Sequence, residues 1–140
     1  HVTSLTGLMG RWQQLESSPR LICDTGHNTG GIQYIVRQLQ NESYQNLRII
    51  IGMVNDKDIS GVLAMLPQNA VYYFTSIPRA LPEERLYELA IKAGLTGKCY
   101  PSVQQAVEAA KKESRPDDLI FVGGSTFIVA DLLKTMLSQQ

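Results

Sequence analysis

Short apolar segments alternate with amphipathic segments along most of this chain, and that alternation constrains its fold more than any other feature. The apolar segments are a run that starts at Leu21 and the ranges 47–54, 70–77, 98–100 and 118–122. Strands that are apolar on both faces and separated by helices are typical of a parallel sheet covered on both sides. The sequence therefore predicts an α/β domain with helices in its two outer layers.

The amphipathic segments carry signals for the starts and ends of helices. Asp58 is a predicted N-cap, Pro82 opens a helix with an acidic first turn, and Gly94 ends it. Ser102 begins a segment with the spacing of a capping box. The expected inward-facing residues are Ile32, Ile35, Val36 and Leu39, then Ile59, Val62, Leu63 and Leu66, then Leu86, Leu89, Ala90 and Ala93, then Val103, Ala106, Val107 and Ala110, and finally Val129, Leu132, Leu133 and Met136.

The beginning of the chain departs from this pattern. Residues 11–16 are more polar, and Ser17-Ser18-Pro19 is a turn signal before the next strand. We interpret this region as an antiparallel hairpin that adds an edge strand to the sheet. The predicted fold is thus a three-layer sandwich with a mostly parallel sheet of about six strands.

Composition limits the function classes. The 140 residues predict one domain over 1–140, and 44% hydrophobic with 19% charged residues is typical of a globular protein. A net charge of +0 argues against a nucleic-acid or acidic-membrane surface. No apolar run reaches the ~20 residues of a membrane span. Cys23 and Cys99 are both expected to be reduced, buried thiols of a cytoplasmic protein. The start at His1 suggests an excised domain or a processed chain.

The strongest chemical signal is the segment Asp24-Thr25-Gly26-His27-Asn28, which follows a strand and precedes a helix. In open α/β sheets ligands bind in the crevice at such strand ends, where helix N–H groups are unpaired. Asp24 could instead cap the helix, and His27 could bond the backbone. The grouping of a carboxylate, an imidazole and an amide favours function.

Three further segments are candidates. Gly10-Arg11 offers a guanidinium fork that can grip a phosphate. Gly123-Gly124-Ser125 could bring backbone and hydroxyl close to a ligand, or Ser125 could simply be an N-cap, and we weigh the two interpretations equally. Lys57, in the polar cluster 55–58, could aid anion binding.

Several common motifs are missing from the sequence. Residues 94–99 lack the G-x-x-x-x-G-K-S/T spacing of a phosphate loop, and no G-x-G-x-x-G follows a strand. No zinc motif and no G-x-S-x-G elbow is present. A dinucleotide cofactor, a zinc site and a serine nucleophile are therefore not expected.

Taken in order, Gly10-Arg11, Asp24-x-x-His27-Asn28, Asp56-Lys57-Asp58 and Gly124-Ser125 resemble the carboxy-terminal domain of folylpolyglutamate synthase/dihydrofolate synthase, of the Mur ligase superfamily. The resemblance covers nearly the whole chain. Cyanophycin synthetases have a similar D-x-x-H-N loop, and the cluster around Lys57 favours the folate branch. Thr25-Gly26 stands where that family more often has Gly-Ala, and Thr29 where a proline is frequent.

The resemblance implies a Rossmann-like lobe that closes over ATP bound by a separate amino-terminal domain. It places Arg11 and Asp24 near ATP and His27 and Ser125 near the incoming L-glutamate, with Asn28, Lys57 and Gly124 in support. A folate or pteroate carboxylate would become an acyl phosphate, which the glutamate amine attacks. The phosphate loop and the Mg²⁺ ligands would lie in the amino-terminal domain, so this domain alone would carry no catalytic residue and no activity.

Two alternatives stay open. A sister ligase that builds peptidoglycan or another amino-acid polymer would share the loop, and a non-enzymatic Rossmann-like module would bind a nucleotide or a protein by itself. Titration of the isolated chain with ATP and L-glutamate separates the last class, because half a cleft is expected to bind weakly or undetectably.

Overall fold

The computed structural model describes residues 11–54, 59–77 and 80–138. The described part contains six strands and five helices. The strands are β1 (Gln13–Glu16), β2 (Arg20–Cys23), β3 (Leu47–Ile51), β4 (Val71–Phe74), β5 (Gly97–Cys99) and β6 (Leu119–Gly123). The helices are α1 (Thr29–Gln40), α2 (Ile59–Met65), α3 (Glu83–Lys92), α4 (Val103–Glu113) and α5 (Thr126–Ser138).

All six strands form one sheet in the order β1-β2-β6-β3-β4-β5. β1 is antiparallel to β2, and every other neighbouring pair is parallel. The predicted mostly parallel sheet with an antiparallel edge strand is therefore confirmed. Because β6 lies between β2 and β3, the loops that follow these three strands meet at one edge of the sheet. We call this edge, formed by residues 24–28, 52–54 and 123–125, the carboxyl edge.

The core has two parts, one on each face of the sheet. Ile49 and Ile51 of β3 face a cluster with α1, α2 and α3, whereas Ile50 faces a second cluster with α4 and α5. All five residues of β6 are buried, as expected for a strand covered on both faces. This alternation of side chains between two helical layers produces the predicted three-layer sandwich.

Most of the expected helix ends are also found. The Ser102 hydroxyl accepts a hydrogen bond from the Gln105 N–H (3.1 Å) and caps α4. Pro82 is the N-cap residue of α3, and Gly94 follows its end with φ +87°. Asp58 lies outside the described residues.

Two sequence predictions need correction. Both cysteines were expected to be buried. Cys23 is buried, but Cys99 is exposed on the edge strand β5. The strands are also shorter than the apolar runs that predicted them. β3 ends at Ile51, although Met53 beyond it is still buried, because loop residues at the carboxyl edge pack into the core as well. Within the described residues, no helix is long and apolar enough to cross a membrane.

Candidate functional site

Backbone hydrogen bonds hold the carboxyl edge together. The Asp24 N–H donates to the Val122 carbonyl (3.2 Å), and the Gly52 N–H donates to the Gly123 carbonyl (3.4 Å). A Cβ added to Gly123 would lie 3.0 Å from the Asp24 carbonyl oxygen. The loops after β2, β3 and β6 are therefore in direct contact with one another.

Asp24 joins the hairpin to the loop after β2. Its side chain is buried, and its carboxylate accepts the Trp12 N–H at Oδ2 (2.9 Å) and the Gly26 N–H at Oδ1 (2.8 Å). The Arg11 Nε lies 3.9 Å from Asp24 Oδ1, and the Arg11 side chain is 65% exposed. The carboxylate thus anchors two backbone segments while the paired guanidinium faces outward, where it can meet an anion.

The N-cap of α1 is Asn28 rather than Asp24. The Asn28 side chain accepts the Gly31 N–H (2.8 Å), with extended backbone at φ −103°. His27 is exposed, and its Nδ1 lies 3.3 Å from the Thr25 carbonyl oxygen. This contact orients the imidazole at the edge of the sheet and leaves the ring open to solvent.

Ser125 directly precedes α5 and follows Gly124, whose backbone lies close to the backbone of Gly52. The buried Ser125 hydroxyl accepts the Phe127 N–H (3.1 Å), so the structural interpretation of Ser125 as a cap is observed. Gly124 has φ +99°, and a Cβ there would lie 2.5 Å from the Gly52 carbonyl oxygen. Phe127, the second residue of α5, is 60% exposed.

Sequence reasoning missed Trp12. Its backbone has φ +43°, and its ring stacks on Phe121 with centroids 5.8 Å apart. The available signal was an aromatic residue directly after Gly10-Arg11, and Trp12 is the single tryptophan of the chain. Neither feature reveals a contact with Asp24, which is twelve positions away.

The structure thus places Arg11, Asp24, His27 and Ser125 at one edge of one sheet. Gly10 and Lys57 lie outside the described residues. Burial, with the Asp24 charge as a smaller cause, raises the pKa of the neighbouring Cys23 thiol to about 12, so this thiol stays neutral. In the part of the chain that the structure describes, no group of three or more His, Cys, Asp or Glu residues could hold a metal ion.

A family model described as the Mur ligase glutamate ligase domain matches residues 10–126, a range that includes all of the carboxyl edge. The chain belongs to the Mur ligase family. A curated relative, the dihydrofolate synthase/folylpolyglutamate synthase of Escherichia coli, is 33% identical over 131 residues, which cover 92% of this chain. The folylpolyglutamate synthase of Lacticaseibacillus casei is 29% identical over 134 residues.

Solved structures agree with this assignment and with the fold. E. coli FolC in complex with DHPP and ADP has a TM-score of 0.84 and 31% identity over 93% of this chain. A bifunctional folylpolyglutamate synthase/dihydrofolate synthase with Mn, AMPPNP and L-glutamate bound has a TM-score of 0.84 and 28% identity over 94% of this chain. The resemblance to the carboxy-terminal domain of these ligases is confirmed. The chain spans 31% of the E. coli relative and 29% of the L. casei relative.

Proposed function

We propose that this Mur ligase domain is the carboxy-terminal lobe of an ATP-dependent ligase that adds L-glutamate to folate or dihydropteroate. The observation that carries the proposal is the exposed Arg11 guanidinium held beside the buried Asp24 carboxylate at the carboxyl edge. Membership of the Mur ligase glutamate ligase family supports it. So do relatives solved with ADP and DHPP, and with AMPPNP, Mn and L-glutamate.

The proposed reaction is the formation of an amide bond in two steps. The folate or dihydropteroate carboxylate takes the terminal phosphoryl group of ATP, which gives an acyl phosphate and ADP. The amine of L-glutamate then attacks the acyl carbon, and phosphate leaves as the amide forms. Such steps depend on the placement of reactants and on neutralisation of phosphate charge.

The residues of the carboxyl edge suit the binding parts of this reaction. Arg11 fits an anionic ligand because its charged fork faces solvent, and we propose that it meets the phosphates of ATP. Asp24 supports nucleotide binding by holding Arg11 and the loop to Gly26. His27 and Ser125 orient L-glutamate. Asn28 supports this site by capping α1, and Gly124 by allowing the close approach of β6 to β3.

We propose that a longer cytoplasmic protein holds this lobe, as one domain over 1–140, next to its own amino-terminal ATPase domain. That domain would bind Mg²⁺, which neutralises phosphate charge when bound, and it would complete the cleft. Lys57 would support anion binding there. The chain alone is then expected to be inactive. Ligation of L-glutamate by the isolated chain, in the presence of ATP and Mg²⁺, would overturn this part of the proposal.

A chimera tests the proposal. The matching region of the E. coli ligase is replaced by this chain, and the formation of the amide product is measured with L-glutamate and with other amino acids. L-Glutamate is expected to be the preferred amino acid. Preference for another amino acid would point to a sister Mur-type ligase that builds a different polymer, and ATP binding by the chain without the rest of the enzyme would point to a free-standing module.

Substitutions in the chimera then test the site. Arg11→Ala and Asp24→Ala are expected to raise the KM for ATP about tenfold or more, since a charge-assisted contact is lost. Arg85→Ala is the matched control, because Arg85 is an exposed arginine that pairs with Glu88 within α3 instead of with the Asp24 carboxylate. An unchanged KM for ATP in both test variants removes Arg11 and Asp24 from the nucleotide site.

A further inference from the structure

Trp12 adopts a backbone conformation that is unusual for its size. Its φ of +43° lies in the left-handed region, where the Cβ of an L-residue crowds the backbone. Left-handed conformations of bulky residues persist only where the surroundings hold them, and they cluster at functional sites. Trp12 lies between Arg11 and β1, so this conformation sets the direction in which the chain enters the hairpin.

Two contacts hold Trp12 in place. Its backbone N–H donates to Asp24 Oδ2 (2.9 Å), and its indole ring stacks on Phe121 with an angle of 29° between the ring planes. Phe121 belongs to the fully buried strand β6, so the indole rests on a strand in the interior of the sheet. Backbone and side chain are therefore both anchored.

These anchors also place Arg11. The Asp24 carboxylate accepts the Trp12 N–H on Oδ2 and faces the Arg11 Nε at 3.9 Å on Oδ1. Arg11 is 65% exposed, and its ion pair with Asp24 at 3.9 Å holds it near the carboxylate without fixing the direction of the side chain by itself. Because Arg11 is bonded directly to Trp12, the anchored backbone of Trp12 limits where Arg11 can lie.

We propose that Trp12 is a positioning residue for the nucleotide site and acts through Arg11. The indole clamps the start of the hairpin on Phe121, and the left-handed turn at Trp12 then directs the Arg11 guanidinium away from the core, over the carboxyl edge. The inference rests on the proposed function, in which Arg11 meets the phosphates of ATP.

A double-mutant cycle in the chimera tests this role. Trp12→Ala is expected to raise the KM for ATP about tenfold, because a misplaced contact group loses most of its effect. The KM for L-glutamate is expected to stay unchanged. Trp12→Phe, which keeps an aromatic ring for stacking on Phe121, is expected to restore the KM for ATP to within about twofold of the unmodified chimera.

The double variant Arg11→Ala/Trp12→Ala is the decisive comparison. If Trp12 acts through Arg11, the KM for ATP of the double variant is no higher than that of Arg11→Ala alone. The positioning role would be overturned if the KM increases of the two single variants multiplied in the double variant, or if Trp12→Ala had a normal KM for ATP. Either result would leave the proposed function intact. No effect of Arg11→Ala itself would instead count against the nucleotide site.

A control separates positioning from a general loss of folding. Tyr87 is a partly exposed ring that contacts the core residue Phe74 edge-on, with centroids 5.8 Å apart, on α3. Tyr87→Ala removes a comparable ring contact and is expected to leave the KM for ATP unchanged. The fraction of folded chimera, measured by thermal unfolding, is determined for every variant. A rise in the KM for ATP in Tyr87→Ala equal to that in Trp12→Ala would contradict the proposal.

Discussion

Asp118 is the most constrained carboxylate at the end of the sheet opposite the carboxyl edge. It is buried, and it accepts hydrogen bonds from the Arg115 N–H (3.1 Å) and from the Asn46 backbone and side chain (3.1 and 3.2 Å). The Arg48 Nε lies 3.4 Å away. Burial raises the pKa of Asp118, but these hydrogen bonds and the Arg48 charge outweigh burial and hold the pKa below its usual value. The carboxylate therefore stabilises the folded chain.

Replacement of this carboxylate is expected to weaken the fold at neutral pH. Asp118→Asn removes the charge that Arg48 faces, and we expect a loss of about 1–3 kcal/mol in the free energy of unfolding at pH 7. Because the pKa is depressed in the folded state, the contribution of Asp118 is complete above its unfolded pKa of about 4 and is lost as the pH falls through the lower folded value.

The measurement is urea unfolding at pH 7 and at pH 3. The difference in the free energy of unfolding between wild type and Asp118→Asn is expected to be smaller at pH 3 than at pH 7. Asp117→Asn is the matched control, since Asp117 is the exposed neighbour in the same loop. This variant should lose little free energy of unfolding at either pH. Equal stability of wild type and Asp118→Asn at pH 7 would contradict this account.

The two cysteines are expected to differ in reactivity. The Cys99 side chain is exposed to solvent. Its partial desolvation and the nearby Glu84 and Glu83 charges still raise its pKa. Cys23, by contrast, is buried, and its pKa is about 12. One equivalent of a thiol reagent should therefore react with the native chain, faster as the pH rises, and two in denaturant. Cys99→Ser is expected to abolish the native reaction. A fast reaction of Cys23 in folded Cys99→Ser would show that β2 opens readily.

At the scale of elements, one glycine of the carboxyl edge and one in helix α1 are expected to respond in opposite ways to the same substitution. Gly124→Ala should lower the free energy of unfolding by about 1–3 kcal/mol. The φ of +99° at this position disfavours a Cβ, and the added Cβ would lie 2.5 Å from the Gly52 carbonyl oxygen. Gly30→Ala is the control. It lies in α1, its Cβ would meet only the Asn28 Oδ1 at 3.6 Å, and alanine favours helix by up to about 1 kcal/mol. Thermal unfolding of both variants checks the sign. A Gly124→Ala chain as stable as wild type would show that β6 and β3 can separate at their ends.

The helices and strands were largely predictable because their signals are local. The apolar spacing in α4 predicted its buried residues Val103, Ala106, Val107 and Ala110, and the Ser102 cap acts within four residues of chain. The role of Asp24 at the start of α1 could not be predicted in the same way. Asn28 caps the helix, while the Asp24 carboxylate turns inward to Trp12, a partner that only the folded hairpin brings near.

At the scale of the molecule, the single sheet is expected to unfold as one unit. Both core clusters share the same strands, and β6 in the centre contributes to each of them. Trp12 packs against the cluster with α1, α2 and α3, and it is the single tryptophan, so its fluorescence reports on that face. Far-UV circular dichroism reports on all helices.

In urea the two signals should follow one transition with the same midpoint. Arg11→Ala serves as the control, because it changes the charge at the carboxyl edge without touching either core cluster and should leave the agreement of the midpoints intact. Two separate midpoints in the wild-type chain would show that one helical layer unfolds before the other.

The sequence by itself determined the alternation of strands and helices, the antiparallel edge strand and the segments with chemical side chains, because each follows from periodicity or a turn over a few residues. Only the tertiary structure decided that β6 enters the sheet between β2 and β3, that Cys99 is exposed, and that Arg11, Trp12 and Asp24 form one contact group. The physical reason is distance along the chain. Contacts between residues far apart in sequence depend on the packing of the whole sheet, and no local pattern records them.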